Sequence, residues 1–180
     1  ANINFSKIPD LFESRNDFES YQRKEVIIDE ITRIESPIHL DLLMKKVAEI
    51  YGYGRLGRNI RQDINWAIKK VEKMGKIKSK DGFIYRTDQK IVIRDRSSLD
   101  NDYRKIEYIS SEEIQKAIKI LVEKSYGSDK ESLIKEVGSL FGYSRVTQNI
   151  YDVILREVLI LSEDDEIRID GDRVYIEESG

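Results

Sequence analysis

The segment Gly52-Tyr53-Gly54-Arg55-Leu56-Gly57-Arg58-Asn59-Ile60 returns 90 residues later as Gly142-Tyr143-Ser144-Arg145-Val146-Thr147-Gln148-Asn149-Ile150. When this match is extended, Leu43–Tyr85 aligns with Leu133–Tyr175 without a gap and with 11 identities in 43 positions. The matches fall on apolar positions and on the shared block itself. A fixed period of this kind predicts a tandem of one small fold.

Each copy has the pattern of three helices followed by a β-hairpin. In the first copy, apolar residues recur at helical spacing in three stretches, and the residue before Pro37 disfavours further helix. Lys80-Asp81-Gly82 then lies between two short strand-like runs, which is a hairpin signal. In the second copy, Ser110-x-x-Glu113 and Ser128-x-x-Glu131 are typical of capping boxes at helix starts.

Three helices and a hairpin in about 70 residues predict a winged helix, a form of helix-turn-helix. We therefore expect a mainly α protein with small β-hairpins (α+β), built as a tandem winged helix-turn-helix repeat. The expected division is an N-terminal extension (1–20), copy one (21–96), a polar linker (97–109) and copy two (110–178). Residues 91–96 are expected to add a strand beside the first hairpin, and Phe12 and Phe18 to pack the extension onto copy one.

Composition argues against catalysis. The 180 residues include one histidine, His39, and no cysteine, which leaves no disulfide, no thiolate nucleophile and no pair of histidines for a metal. No P-loop, dinucleotide-binding or nucleophile-elbow motif occurs. We expect a non-enzyme without cofactor or metal, and a structural role for His39 at a helix start. The sequence has no signal-peptide pattern and no membrane-length apolar run, so a cytoplasmic protein that does not enter a membrane is expected.

The net charge of −3 hides an asymmetry between the copies. Residues 55–86 hold 10 basic and 3 acidic side chains, a balance of +7, whereas the corresponding residues 145–176 hold 4 basic and 8 acidic ones, a balance of −4. Basic surfaces favour nucleic acid, and acidic ones repel it. The sequence predicts that only copy one contacts DNA.

The third helix of copy one has a polar side opposite its apolar stripe. In a winged helix this side would enter a DNA groove, where Arg, Gln and Asn read base edges and lysines bind phosphates. A merely solvated face is the alternative. Trp66 could stack on a base, form a protein interface or pack under the N-terminal extension. The candidate DNA-binding residues are Arg55, Arg58, Arg61, Gln62, Asn65, Trp66, Lys69, Lys73, Lys76, Lys78 and Lys80.

In copy two the third helix is apolar almost all round, which is typical of a helix buried against a partner. Leu155 and Leu159 are the candidate protein-interface residues. The arginine shared by both copies, Arg55 and Arg145, is expected to tie the turn to a carboxylate, since copy two keeps it without the basic field; a phosphate clamp is the alternative.

Three motifs in copy one resemble a known domain family: Glu35-Ser36-Pro37-Ile38-His39-Leu40, Val47-Ala48-Glu49 and Gly52-Tyr53-Gly54-Arg55-Leu56-Gly57. The family is an uncharacterised domain near the C-terminus of large superfamily I helicase-related proteins, which combine an AAA-type ATPase core with a restriction-endonuclease-like module. The resemblance covers residues 25–96 and extends loosely into copy two. It implies a non-catalytic accessory module whose partners are DNA and the helicase or ATPase domains of a parent protein. A protein-interaction module that never touches nucleic acid is the alternative function.

Overall fold

The structure, a computed structural model, describes residues 23–125 and 127–176. The chain divides into two compact units, Ala1–Lys90 and Ile91–Gly180, which we call the first and second unit. The expected extension, residues 1–20 with Phe12 and Phe18, lies outside the described residues.

The first unit begins with helix α1, which ends before the proline as predicted: Ser36 has an extended backbone with ψ of 135°. At the start of the next helix, the Nδ1 of His39 accepts a hydrogen bond from the amide of Asp41. The expected structural role of His39 at a helix start is therefore confirmed. The elements are α1 (Lys24–Glu35), β1 (Ile38–His39), α2 (Leu40–Ile50), α3 (Arg58–Lys73), β2 (Ile77–Lys80) and β3 (Phe83–Arg86).

The second unit repeats this order 90 residues later. Apart from an earlier start of its first helix, each helix and strand has the bounds of its counterpart shifted by 90. Two short 3-10 turns, Asn101–Tyr103 and Ile106–Tyr108, precede the first helix of this unit. The elements are α4 (Ser111–Ser125), β4 (Ser128–Asp129), α5 (Lys130–Leu140), α6 (Gln148–Glu163), β5 (Ile167–Asp170) and β6 (Arg173–Ile176).

Each unit contains a small antiparallel sheet of three strands, ordered β1-β3-β2 in the first and β4-β6-β5 in the second. The hairpins were predicted, but the two-residue strands β1 and β4 were not. Ile38 pairs with Ile84, and Ser128 pairs with Val174 in the same register. The described residues thus have the expected α+β character, with six helices and two small sheets.

The cores occupy equivalent positions in the two units. Ile28 and Ile118, and likewise Ile64 and Ile154, are fully buried, as the apolar periodicity predicts. The turn between the second and third helices is seven residues long, 51–57, because the third helix begins at Arg58. In the second unit the same delay places the start of α6 at Gln148, later than the expected Arg145.

Residues 91–96 do not form the expected strand on the first unit. They belong to the second unit, where the side chains of Arg94 and Arg96 both contact the fully buried carboxylate of Glu113. Arg96 places its two terminal nitrogens 2.9 and 2.8 Å from the two carboxylate oxygens, and the amide of Arg94 donates to the same group. The boundary between the two units falls after Lys90, and the ion pairs with Glu113 hold residues 91–96 on the second unit.

The polar stretch expected to be a linker, residues 97–109, is also part of the second unit. Ile106 and Ile109 are buried in its core, and the hydroxyl of Tyr143 donates to the carbonyl oxygen of Arg104 at 2.8 Å. Burial raises the pKa of Tyr143 to about 12. We call residues 91–109 the covering segment of the second unit.

The two expected capping boxes are each only partly formed. Ser110 Oγ accepts from the amide of Glu113 at 3.3 Å, but the carboxylate of Glu113 binds the arginines instead of returning to the helix start. In the other box, Asp129 rather than Ser128 caps the helix, since its Oδ1 accepts from the amide of Ser132 at 2.9 Å. In the part of the chain that the structure describes, no helix has both the length and the apolar character needed to span a membrane.

Glu113→Gln is expected to destabilise the second unit by about 3–5 kcal/mol, because it leaves the buried guanidinium of Arg96 without a counter-charge. Urea unfolding followed by far-UV circular dichroism measures the loss. Trp66, the single tryptophan, reports on the first unit, and its fluorescence transition should not move. Glu123→Gln, at an exposed position of the same helix, is the control; an equal loss in both variants would contradict the role of Glu113.

The equivalent glycines of the two turns should differ in their tolerance of alanine. Both have positive φ, 67° at Gly52 and 88° at Gly142, so either alanine carries a backbone cost of about 1–2 kcal/mol. A Cβ at Gly52 meets nothing within 4 Å, whereas one at Gly142 overlaps the backbone of Ser97 in the covering segment. Gly142→Ala should therefore cost about 1–3 kcal/mol more than Gly52→Ala, measured by the same unfolding experiment. Equal losses of stability in the two variants would show that the backbone at Ser97 moves away from the added methyl group without cost.

Candidate nucleic-acid interface

The outer face of α3 is set by the burial of its opposite side. Ile64, Ala67, Ile68 and Val71 are buried in the first unit. A helix turns about 100° per residue, so the side opposite this stripe, which includes Gln62, Trp66 and Lys69, faces outward. Ten of the eleven candidate DNA-binding side chains are exposed, and Asn65 is half-buried.

Three cations on this face have no acidic partner among the described residues. Arg58, Lys69 and Lys73 are exposed, and no ion pair is formed by any of them with a described carboxylate. Arg58 is the first residue of the helix and Lys73 the last, and at about 100° per residue all three lie on the same side. A row of uncompensated positive charge of this kind can bind a polyanion without first breaking internal ion pairs.

Other candidate cations are already paired. Arg61 binds Asp41 at 3.0 Å, and Lys76 binds Asp29, which is also bound by Arg86. Although burial alone would raise the pKa of Asp29, its two cationic partners hold that pKa below the ordinary value. The lysine at the base of the hairpin therefore stabilises the first unit as well as adding positive charge.

The hairpin itself presents two further lysines. Lys78 and Lys80 are exposed on β2, and Lys80 lies 3.9 Å from the carboxylate of Asp81 in the adjoining turn. Between them, the amide of Ser79 donates to the side chain of Glu72 at 2.7 Å, which ties the strand to the end of α3. This hydrogen bond fixes the position of β2 relative to the last turn of α3.

Trp66 lies in the middle of the outer face and is 59% exposed. The Nζ of Lys70 lies 3.4 Å from the centroid of its ring and is itself bound by Glu25 at 2.7 Å. The hydrogen bond from Lys70 lowers the pKa of Glu25 below its ordinary value of 4.5. The sequence did not identify Glu25 or Lys70 as part of the site, because Glu25 belongs to α1, 45 residues earlier in the chain.

The turn arginines do not make the expected tie to a carboxylate. Arg55 and Arg145 are both exposed, and neither forms an ion pair with any residue in 23–125 or 127–176. The conformation of the turn is supplied by the backbone instead, through the positive φ of Gly52 and Gly142. In the first unit this leaves the guanidinium of Arg55 exposed next to the start of α3.

The corresponding face of α6 has lost most of the positive charge: its single cation is Arg156, at the position equivalent to Trp66. Lys69 is matched by Leu159, which is 46% exposed, and Lys73 by Glu163. Leu155, expected to face outward, is half-buried and packs against the core of its own unit. The assignment of Leu155 and Leu159 to a protein interface stays a prediction.

Lowering the pH should loosen the contact between the ammonium group of Lys70 and the ring of Trp66. Because the pKa of Glu25 is depressed, its ion pair with Lys70 is complete above pH 4.5 and is lost as the pH falls through the lower pKa of the folded state. In an acid titration, the fluorescence emission of Trp66 should change as the pH falls below 4.5. Far-UV circular dichroism over the same titration checks that the chain stays folded. Glu25→Gln should have altered emission at neutral pH and no such step; a step of equal size in this variant would contradict the assignment.

Comparisons with known proteins cover only part of the chain. Residues 25–62 match a family model described as a protein of unknown function, DUF3320. The match spans α1, α2 and the first turn of α3, and lies within the range of the expected resemblance. It is thus a match to an uncharacterised domain. No curated protein and no solved structure matched the chain.

Proposed function

We propose that this chain is a non-catalytic DNA-binding module, built as two winged helices, in which only the first unit contacts DNA. The observation that carries the proposal is the row of exposed, unpaired cations on α3: Arg58, Lys69 and Lys73. Cations that neutralise phosphates gain affinity from counterion release, and no carboxylate among the described residues is ion-paired with these three.

The order of elements supports the winged-helix interpretation. Each unit has three helices, and a hairpin follows the third. In this fold the third helix is the element that enters a groove, and it is the element that bears the unpaired cations. The turn before it is longer than the three or four residues of the simplest helix-turn-helix, so the support comes from element order and charge together.

In this proposal, some polar side chains of α3 contact phosphates and others contact base edges. Arg58, Lys69 and Lys73, with Lys78 and Lys80 on the hairpin, bind phosphates and fix the register of the complex. Gln62 is exposed beside them and matches the amide side chains that bind adenine edges. Asn65 is half-buried and reaches DNA less readily.

The second unit acts as a docking module in this proposal. Its equivalent helix face has Leu159 in place of Lys69 and Glu163 in place of Lys73, which disfavours contact with DNA. The partner we propose is the helicase or ATPase part of a larger DNA-processing protein. The exposed Leu159 also favours the second candidate function, a protein-interaction module in which neither unit binds nucleic acid.

Fluorescence anisotropy of labelled DNA at about 50 and about 200 mM salt tests the proposal. If the first unit neutralises roughly 3–5 phosphates, the log–log slope of affinity against salt is about −3 to −4 for duplex. Arg58→Glu combined with Lys69→Glu should abolish binding while leaving the fold intact, as checked by circular dichroism.

A matched control separates local from general electrostatics. Lys124→Glu with Lys135→Glu changes the net charge by the same amount, at exposed positions of the second unit. This variant should bind DNA nearly as well as the parent chain. Equal losses in the two double variants, or no binding by the parent chain at low salt, would contradict the assignment of DNA contact to α3 and leave the docking function.

A further inference from the structure

The indole of Trp66 is the largest apolar side chain exposed in the described part of the chain. An exposed indole forgoes the stabilisation that such a large apolar surface gains on leaving water. The surrounding helix face offers no apolar neighbour to cover it, because Gln62 and Lys69, one turn away on either side, are polar and exposed. The exposure is therefore a property of the face as a whole.

The ring is nevertheless held in place. The ammonium of Lys70 lies over it, 3.4 Å from the centroid, and Glu25 fixes that ammonium at 2.7 Å. The cation covers part of the ring, and 59% of the residue stays accessible. A ring that is already ordered loses little side-chain freedom when a ligand stacks on it.

Positive charge lies beside the accessible ring. Lys69 and Lys73 follow Trp66 by three and seven residues, which places them on the same side of the helix, and neither has an ion pair among the described residues. An aromatic platform flanked by cations is the combination by which proteins bind single-stranded nucleic acid: bases stack on the ring, and the phosphates meet the cations.

Intact duplex cannot use such a platform. In a duplex the grooves present base edges, whereas the faces of the bases are stacked on one another. From this we infer that Trp66 is the stacking platform for an unpaired nucleobase, so that the DNA bound by the first unit has single-stranded character, as a single strand or as a tail on a duplex. The inference rests on the proposed function and names its class of substrate.

The single tryptophan allows the site to be observed directly. The full chain is titrated with an oligothymidine of about 12 nucleotides, with a blunt duplex and with the same duplex carrying a single-stranded tail; the length lies within the usual site sizes. Emission from Trp66 should be strongly quenched by the oligothymidine and by the tailed duplex, because a stacked base quenches indole fluorescence. The blunt duplex should change anisotropy but leave the emission nearly constant.

Two substitutions separate stacking from apolar contact. Trp66→Leu keeps an apolar side chain without a ring and should weaken binding to the oligothymidine about 5- to 150-fold, the range measured for loss of one stacked base. Trp66→Phe keeps a ring and should lose clearly less. For both variants the loss should be larger for the oligothymidine than for the blunt duplex, because the phosphate contacts by the lysines remain while the stacked base is lost.

The outcomes distinguish this inference from the proposed function. Binding of duplex with the expected salt slope, together with unquenched emission in the presence of the oligothymidine, overturns the stacking site and leaves the DNA-binding module standing. Equal losses in the Leu and Phe variants also overturn it. Absence of binding to all three DNAs overturns both proposals.

Discussion

Burial of one stripe on α3 governs the rest of the first unit. Once Ile64, Ala67, Ile68 and Val71 pack inward, helix geometry fixes every other side chain of the helix to a flank or to the outer face. The outer residues are then free to vary in charge and size without disturbing the core. Function can be placed on that face independently of stability.

The second unit shows how far this freedom extends. Its core uses many of the same positions, although Glu157 replaces the buried Ala67. Apart from an earlier start of the first helix, its helices and strands keep the same bounds after a shift of 90. The outer face of its third helix has nevertheless exchanged lysine for leucine and glutamate. Two units with one architecture thus present different surface chemistry, and our proposal of DNA contact by the first unit alone rests on that difference.

Much of this architecture could be predicted from the sequence, because periodic apolar residues and Gly-containing turns act locally. The helices and hairpins followed from those patterns, whereas the two-residue strands β1 and β4 are too short to produce an alternating pattern. The outward position of Trp66 and its lysines also followed from periodicity. The anchoring of the ring through Glu25 did not, since an ion pair across 45 residues leaves no local signal.

The covering segment of the second unit gives no local signal either. Residues 97–109 have the polar composition of a linker and residues 91–96 the pattern of a strand; the contacts with Glu113 and the burial of Ile106 and Ile109 show that both belong to the second unit. This has a practical consequence for separating the units. A fragment beginning at Ser110, where the sequence pattern of the second repeat starts, would lack Arg96 and the core residues Ile106 and Ile109. A fragment that keeps all three begins earlier, and Ile91, the first residue of the second unit, is the boundary that the fold indicates.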